Sequence, residues 1–260
     1  MRRYFAAFAL LVPMLFCGCE KDAGEPVTMN YSIEGTYTEL QVGDAFDVTV
    51  SDMADQISVT AGDKIIARVV VEKDGDKLVI RLKPMTSTRG SALKVVLPYN
   101  PDLKKVELSG ASDFRSPFPL KGKKAEVELS GASDYYGDIE ADDIELDLSG
   151  GSNFRGFVKG SDLDVELSGA SDAELEGQVT TLKLDLSGSS SIIRKVIGKR
   201  YALSCDRCEG SMSGSSDAFI HCDVSIKASL SGASDLHYTG NAATAGCSTS
   251  GGSNVIHDVL

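Results

Sequence analysis

The sequence predicts an all-β chain of stacked coils, a parallel β-helix (β-solenoid) with coils of about 19 residues. Three observations carry this reading. The phrase VELSGASD, at 106–113, returns at 127–134 and 165–172, with close variants LDLSGGSN at 146–153 and SLSGASD at 229–235. Aligned on the phrase's glycine, eight copies appear at Gly110, Gly131, Gly150, Gly169, Gly188, Gly214, Gly232 and Gly251, spaced by 21, 19, 19, 19, 26, 18 and 19 residues. Helical periodicity is absent, and each unit is too short for a crossover helix.

Each unit reads as a strand, a sharp corner and a return. Before the glycine, Val106-Glu107-Leu108, Val127-Glu128-Leu129, Leu146-Asp147-Leu148, Val165-Glu166-Leu167 and Leu184-Asp185-Leu186 alternate apolar, acidic, apolar. That is a half-buried strand with its acid facing water. At the corner, serine precedes the glycine in all eight copies and follows two residues after it in all eight. Serine and glycine suit a tight corner where φ is positive and backbones approach closely. After it, Phe114, Tyr135, Phe154, Ile192, Leu236 and Val255 turn the chain back inside. With coils about 4.8 Å apart, eight of them rise on the order of 38 Å, and every column becomes a ladder. The step from Gly188 to Gly214 inserts Ile192 to Cys208 as a bulge in the stack.

Residues 105–260 form this repeat. Residues 30–104 carry no copy of the phrase but stay strand-like, in Phe46–Val50, Ile57–Val59, Val69–Val71, Leu78–Leu82 and Leu93–Leu97, with a turn signal at Asp74-Gly75. They are either degenerate opening coils or a cap, which a solenoid needs over its first coil.

At the N-terminus, Arg2 and Arg3 precede an apolar run from Tyr4 to Phe16 that ends in LFCGC. The run is short for a membrane span and reads as a signal peptide over 1–18. Its end resembles a bacterial lipobox, with the small Gly18 before Cys19, so lipidation is expected on Cys19, followed by a flexible tether over 19–29. Glu20-Lys21-Asp22 resembles the export tag of surface lipoproteins in the Bacteroides group. The expected location is therefore that of an outer membrane lipoprotein, on the cell surface or the periplasmic face. The formal charge of −12 becomes −14 once Arg2 and Arg3 are removed. A chain this acidic, with no basic cluster, is not expected to bind nucleic acid.

The segments GDAFDVTVS, ISVTAGDK and VEKDGDKLVIRL, then VVLPYNPDLKKVELSGASD and the repeats, resemble the head GIN domain family of putative auto-transporter adhesins. The resemblance spans nearly all of the chain after the signal. It implies a right-handed parallel β-helix in a secreted or lipid-anchored envelope protein, and it carries over no catalytic residue.

Four sets of residues could carry chemistry. The first is the column after the corner, Asp113, Asp134, Asn153, Asp172, Asp217, Asp235 and Asn254, from which only Ser191 departs. It suits either Asx-type bonding to the corner backbone or a strip that grips a glycan or protein ligand. The second is the outward acid column Glu107, Glu128, Asp147, Glu166 and Asp185, beside Glu126, Glu145, Asp164 and Lys183. It offers a row of weak Ca²⁺ sites or a solvated face that keeps the sheet from pairing laterally. The third is the cysteines: Cys205 and Cys222 are placed to stack on adjacent coils and form a disulfide, Cys205-x-x-Cys208 with His221-Cys222 permits a zinc reading, and Cys247 aligns with the inward Leu184. The fourth is His221, His237 and His257, which fall in different columns and share no nucleophile motif.

The sequence therefore reads as a non-enzymatic, lipid-anchored envelope protein with an adhesin-like binding face for a glycan or protein, with no cofactor unless calcium. Self-association through solenoid ends or edges is a further expectation. A polysaccharide-degrading β-helix enzyme and a purely structural envelope protein are the alternatives.

Overall fold

The computed structural model describes residues 24–88 and 91–260. The signal peptide and Cys19 lie outside the described residues. The fold is all-β, with one short helix, Asp63–Ile66. Twenty-one strands join in one hydrogen-bonded sheet, and a two-stranded hairpin, Val196–Ile197 with Arg200–Tyr201, stands apart. No helix among the described residues is long and apolar enough to cross a membrane.

The repeat pairs with itself in parallel. Strand Leu120–Leu129 lies on Ile139–Leu148 with Val127 opposite Leu146 and Leu129 opposite Leu148. The next coils continue with Leu146 opposite Val165 and Val165 opposite Leu184. Alternation in the sequence becomes a continuous apolar column: Val42, Leu108, Leu129, Leu148, Leu167, Leu186, Met212 and Leu230 stand in register and are all buried. A second inward column follows the corner. There Phe114, Tyr135 and Phe154 stack with ring centroids 5.2 and 5.0 Å apart and planes nearly parallel.

The corner has the conformation its residues require. All eight phrase glycines have φ between 74° and 80°. From Gly131 onward, a Cβ on each would fall 2.3–2.7 Å from the carbonyl oxygen of the glycine one coil earlier. That oxygen accepts the N–H of the next residue, as in Ala132 to Gly110 (2.8 Å) and Ala170 to Gly150 (2.7 Å). The second serine of every corner is buried, at 0–7 % exposure. Its hydroxyl turns back to the carbonyl of the first serine, as in Ser133 to Ser130 (2.9 Å) and Ser171 to Ser168 (2.8 Å). A buried hydroxyl is thus satisfied locally, and a residue that looks solvent-loving belongs to the core. Ser190, beside the insertion, bonds instead to Leu167 O at 3.3 Å.

Residues 30–104 do two things at once. Glu39–Val42 lies in parallel on Lys105–Leu108, and Phe46–Ser51 on Asp113–Arg115, so 39–51 is a full opening coil. Its corner is Gly43-Asp44-Ala45, with φ of 61° at Asp44 and 67° at Ala45. The Asp44 carboxylate accepts the Leu82 N–H at 2.7 Å. A further rung, Lys77–Leu82 and Leu93–Pro98, lies outside the opening coil, although it comes later in the chain. Antiparallel pairing then closes this end: Val69–Asp74 with Lys77–Leu82, Ile57–Gly62 with Leu93–Pro98, and Pro26–Tyr31 with Ile57–Gly62. The insertion after Ile192 is the Val196–Tyr201 hairpin, and the chain rejoins the stack at Leu203.

Two predictions follow from these ladders. Gly169→Ala should cost about 3 kcal/mol or more, because it combines a positive φ with a clash against Gly150 O at 2.5 Å. Gly75→Ala, with φ of 61° and open space around it, should cost only about 1 kcal/mol. Urea denaturation of both variants measures the difference, and equal costs would mean that the corner is not tightly stacked. The Tyr135 hydroxyl is buried without a hydrogen-bond partner, and burial pushes its pKa up. Tyr135→Phe, which matches its neighbours Phe114 and Phe154, should therefore stabilise the protein by about 1 kcal/mol, read as a rise in Tm.

Candidate functional site: ladder faces and the capped end

The structure brings the Asp/Asn residues into one column. Asp47, Asp113, Asp134, Asn153, Asp172, Ser191, Asp217, Asp235 and Asn254 are successive register partners, so the opening coil adds a ninth rung. Their side chains bond chiefly along the stack. Asn153 Nδ2 donates to Asp134 at 2.7 Å, and Asn254 Nδ2 donates to Asp235 at 2.8 Å and to Gly252 O at 3.1 Å. Arg115 bridges Asp47 (2.7 Å) and Asp113 (3.1 Å). Asparagine thus breaks a run of like charges by donating to the carboxylate below it. The Asp172 carboxyl, flanked by Asn153 and Ser191, is pushed above its usual range by burial.

The acid column is in register too, from Glu107 through Glu128, Asp147 and Glu166 to Asp185. Its upper end is neutralised by lysines. Lys77 Nζ lies 2.8 Å from Glu107, and Lys105 Nζ lies 2.6 Å from both Glu126 and Glu128 and 3.2 Å from Glu107. Burial disfavours charge on Lys105 and Glu126 alike. Their hydrogen bonds win, raising the Lys105 pKa and holding Glu126 below the usual range. Lower down the column the acids are less compensated: burial, then Asp147, Asp164, Asp185 and Glu145, pushes Glu166 up. At Glu107, Glu128, Asp147, Glu166 and Asp185, where calcium is expected, the carboxylates form a line and no preassembled cluster. Among the described residues no three His, Cys, Asp or Glu side chains gather as a metal ion requires. The physical reason is that in-register strands space carboxylates evenly along a line instead of converging them, and lysines already occupy the upper end.

The same finding covers Cys205, Cys208, His221 and Cys222, the residues of the zinc reading, which form no preassembled cluster. Cys205 and Cys222 are register partners, but all four described cysteines are free thiols. The expected disulfide is absent from the structure. Parallel, in-register side chains start about 4.8 Å apart, beyond the usual Cβ separation of a disulfide. Cys222 Sγ donates instead to Asp206 O (3.3 Å) or Ser225 O (3.4 Å). Its hydrogen bond with Cys205, together with burial, pushes the Cys205 thiol up. Cys247 packs against the core and reaches Ile226 O at 3.4 Å.

The histidines do not converge. His221 meets Thr239 (2.9 Å) and Asp223 (3.2 Å), His257 stacks on Tyr238, and His237 stacks on Phe219. His237 Nδ1 also lies 3.0 Å from Asp258, which accepts the Tyr201 hydroxyl from the inserted hairpin. Burial of Asp258 is outweighed by these bonds, which hold its carboxyl below the usual range. Burial and the bond to Asp258 push Tyr201 up to about 12. This cluster pins the hairpin to the last coils.

One concavity escaped the sequence reading altogether. At the capped end, the strands Pro26–Tyr31, Ile57–Gly62 and Leu93–Pro98 all have a terminus at one corner. A cleft of about 420 Å³ opens there, lined by Tyr31, Tyr37 and Tyr99 and by the polar Asp55, Gln56 and Asn100. Its residues come from three separated, non-repeating segments. The only trace in the sequence is that three of the eight tyrosines fall near strand ends in this region, in a chain that lacks tryptophan.

Long parallel ladders, a glycine corner and polar outer columns define an all-β protein with extended polar faces. The profile of the family described as "putative auto-transporter adhesin, head GIN domain" matches residues 36–160 and 137–242, and the chain belongs to that family. Three solved structures share its fold. A putative lipid binding protein from Parabacteroides distasonis is 20% identical, with a TM-score of 0.78 over 90% of this chain and 97% of its own. A putative adhesin from Parabacteroides merdae is 18% identical, with a TM-score of 0.77 over 90% and 97%. A putative adhesin from Parabacteroides distasonis is 18% identical, with a TM-score of 0.76 over 92% and 96%. No curated protein matches the chain.

Lys105→Met should uncover three half-buried glutamates and cost about 1–2 kcal/mol near pH 7, with solvent screening favouring the lower figure. The sign of the pH dependence follows from the two shifts. The contribution of Glu126 is present above the ordinary glutamate range and is lost as pH falls through its depressed folded pKa. That of Lys105 is present below the ordinary lysine range and is lost as pH rises through its raised folded pKa. The wild-type advantage in Tm should therefore be full at pH 7 and shrink below about pH 4. A gap independent of pH would mean that lost packing, not pairing, is responsible.

Proposed function

We propose that this chain is a non-catalytic, lipid-anchored binding protein of the bacterial cell envelope, built as a right-handed parallel β-solenoid. It acts in an adhesin-like manner on a glycan or protein ligand. The observation that carries this reading is the nine-rung column from Asp47 to Asn254, an unbroken polar strip whose spacing is set by the backbone. Membership of a family described as adhesins supports the binding role, and the family resemblance supports the handedness. The lipobox-like LFCGC before Glu20 supports attachment through Cys19. A rigid rod with identical rungs favours many weak, equivalent contacts over one tight one, which suits a repetitive polymer such as an extended polysaccharide.

Protease shaving of intact cells tests the location. The chain should be lost under external protease while a periplasmic marker survives. Survival of both until the outer membrane is opened would overturn adhesion to a host or neighbouring cell and leave a periplasmic partner role. Where the chain is surface-exposed, replacing Asp134, Asp172 and Asp235 together by alanine should reduce cell or glycan adherence several-fold without unfolding the stack.

A further inference from the structure

We infer that the cleft at the capped end is a binding site for a neutral saccharide of one or two rings, with Tyr99 as its stacking platform. The inference rests on the binding reading above only for the chemical class of ligand. The site itself is separate from the Asp/Asn column.

Four observations point this way. The first is the ring of Tyr99, which is 39 % exposed yet held in place. It packs against the Phe118 ring with centroids 4.3 Å apart and planes tilted by 33°, and the Tyr99 backbone N–H donates to Ser51 O at 2.9 Å. A pre-positioned aromatic face loses little freedom on binding and offers the apolar surface that the C–H face of a pyranose needs. The second is a rigid floor. Tyr37 is 7 % exposed, and Asn100 ties it down by donating from Nδ2 to Tyr37 O at 2.7 Å while its Oδ1 accepts the Asp102 N–H at 3.0 Å.

The third is a pair of uncommitted polar groups in the same lining. The side chains of Asp55 and Gln56 line the cleft and, among the described residues, make no hydrogen bond or ion pair. Tyr31 is the register partner of Ile57, next in the chain to Gln56, and lines the same cleft. A carboxylate acceptor and an amide that both donates and accepts are the groups that grip vicinal sugar hydroxyls. The fourth is size and charge. A cleft of about 420 Å³ falls within the range of small-ligand sites and holds roughly one or two sugar rings. Asp55 and the acidic chain repel phosphates and other anions, and the polar rim disfavours a bare acyl chain, so a neutral, hydroxyl-rich ligand fits best.

The periodic face offers smaller hollows, of about 210 and 270 Å³, lined chiefly by in-register acids and without an aromatic ring. Here three strands have termini together, and the lining comes from three separated segments.

The test is saturation-transfer NMR on the purified full chain, using glucose, galactose, mannose, N-acetylglucosamine, lactose and maltose as probes, with glucose 6-phosphate as an anionic control. At least one neutral sugar should show saturable transfer at millimolar concentration, strongest on ring C–H protons, and the phosphate ester should show little. Tyr99→Ala should weaken binding about tenfold or more, Gln56→Ala several-fold, and Tyr99→Phe little, each with Tm close to wild type. Val196→Ser, on the exposed inserted hairpin and outside both the cleft and the Asp/Asn column, should leave sugar binding unchanged. Absence of binding to every probe would overturn the inference, as would binding that survives both Tyr99→Ala and Gln56→Ala. Binding lost in Asp235→Ala but kept in Tyr99→Ala would overturn the cleft while leaving the ladder-face reading intact. Should Tyr99→Ala lower Tm markedly, Gln56→Ala and Tyr99→Phe decide the matter on folded protein.

Discussion

The rest of the structure depends on how closely two backbones approach at the corner. Parallel strands set the rise from coil to coil at about 4.8 Å. At the turn, each glycine sits over the carbonyl oxygen of the glycine one coil earlier, at a distance that excludes any Cβ. The same oxygen accepts the N–H of the following residue. Steric exclusion and hydrogen bonding therefore act on one atom, and together they lock each corner to the last. Once the corners are locked, register along the flanking strands follows, because a slip of one residue would turn every leucine outward and every acid inward.

That constraint explains both what the sequence disclosed and what it concealed. Repetition made the columns legible: Leu108, Leu129 and Leu148 are stacked because their spacing repeats, and the same holds for the corner serines. The depth of those serines was less obvious. Composition alone would put Ser133 or Ser171 at the surface, yet each is buried and bonded to the carbonyl of its own corner. The opening coil is one of two readings the sequence supports for residues 30–104, and its corner was not legible for a related reason. Gly43-Asp44-Ala45 performs the same turn without spelling the phrase, since Asp44 and Ala45 accept positive φ and the Asp44 carboxylate is held by the Leu82 N–H. The rung formed by Lys77–Leu82 and Leu93–Pro98 precedes the opening coil in space while following it in sequence. No periodicity within one chain segment can signal such a crossing.

Electrostatics shows a similar division. The outward acids could be read off as a column, but the cations that neutralise it could not. Lys77 arrives from a hairpin of the cap, and Lys105 opens the column in which Glu126, Glu145 and Asp164 follow. Ladders place like groups at equal spacing along a line, so they favour a salt-bridged rail over a chelating cluster. The same geometry leaves Cys205 and Cys222 side by side as thiols. In each case residue identity and register were predictable, while convergence of side chains was not, because parallel Cβ vectors do not converge.

A molecule built this way separates two kinds of recognition. Its long faces are translationally equivalent, so any contact made on one rung is available on the next, and the affinity they offer grows by repetition. Selectivity needs groups that approach from different directions around a concave surface, and a perfect ladder has none. The ladder is interrupted at the inserted Val196–Tyr201 hairpin, closed by Tyr201, Asp258 and His237, and at the cap, where strand termini leave a cleft lined by Tyr99, Asp55 and Gln56. The first interruption is filled by the chain's own side chains and the second is open. On the reading proposed above, chemical discrimination belongs at the capped end, with the ladder faces supplying reach and multiplicity.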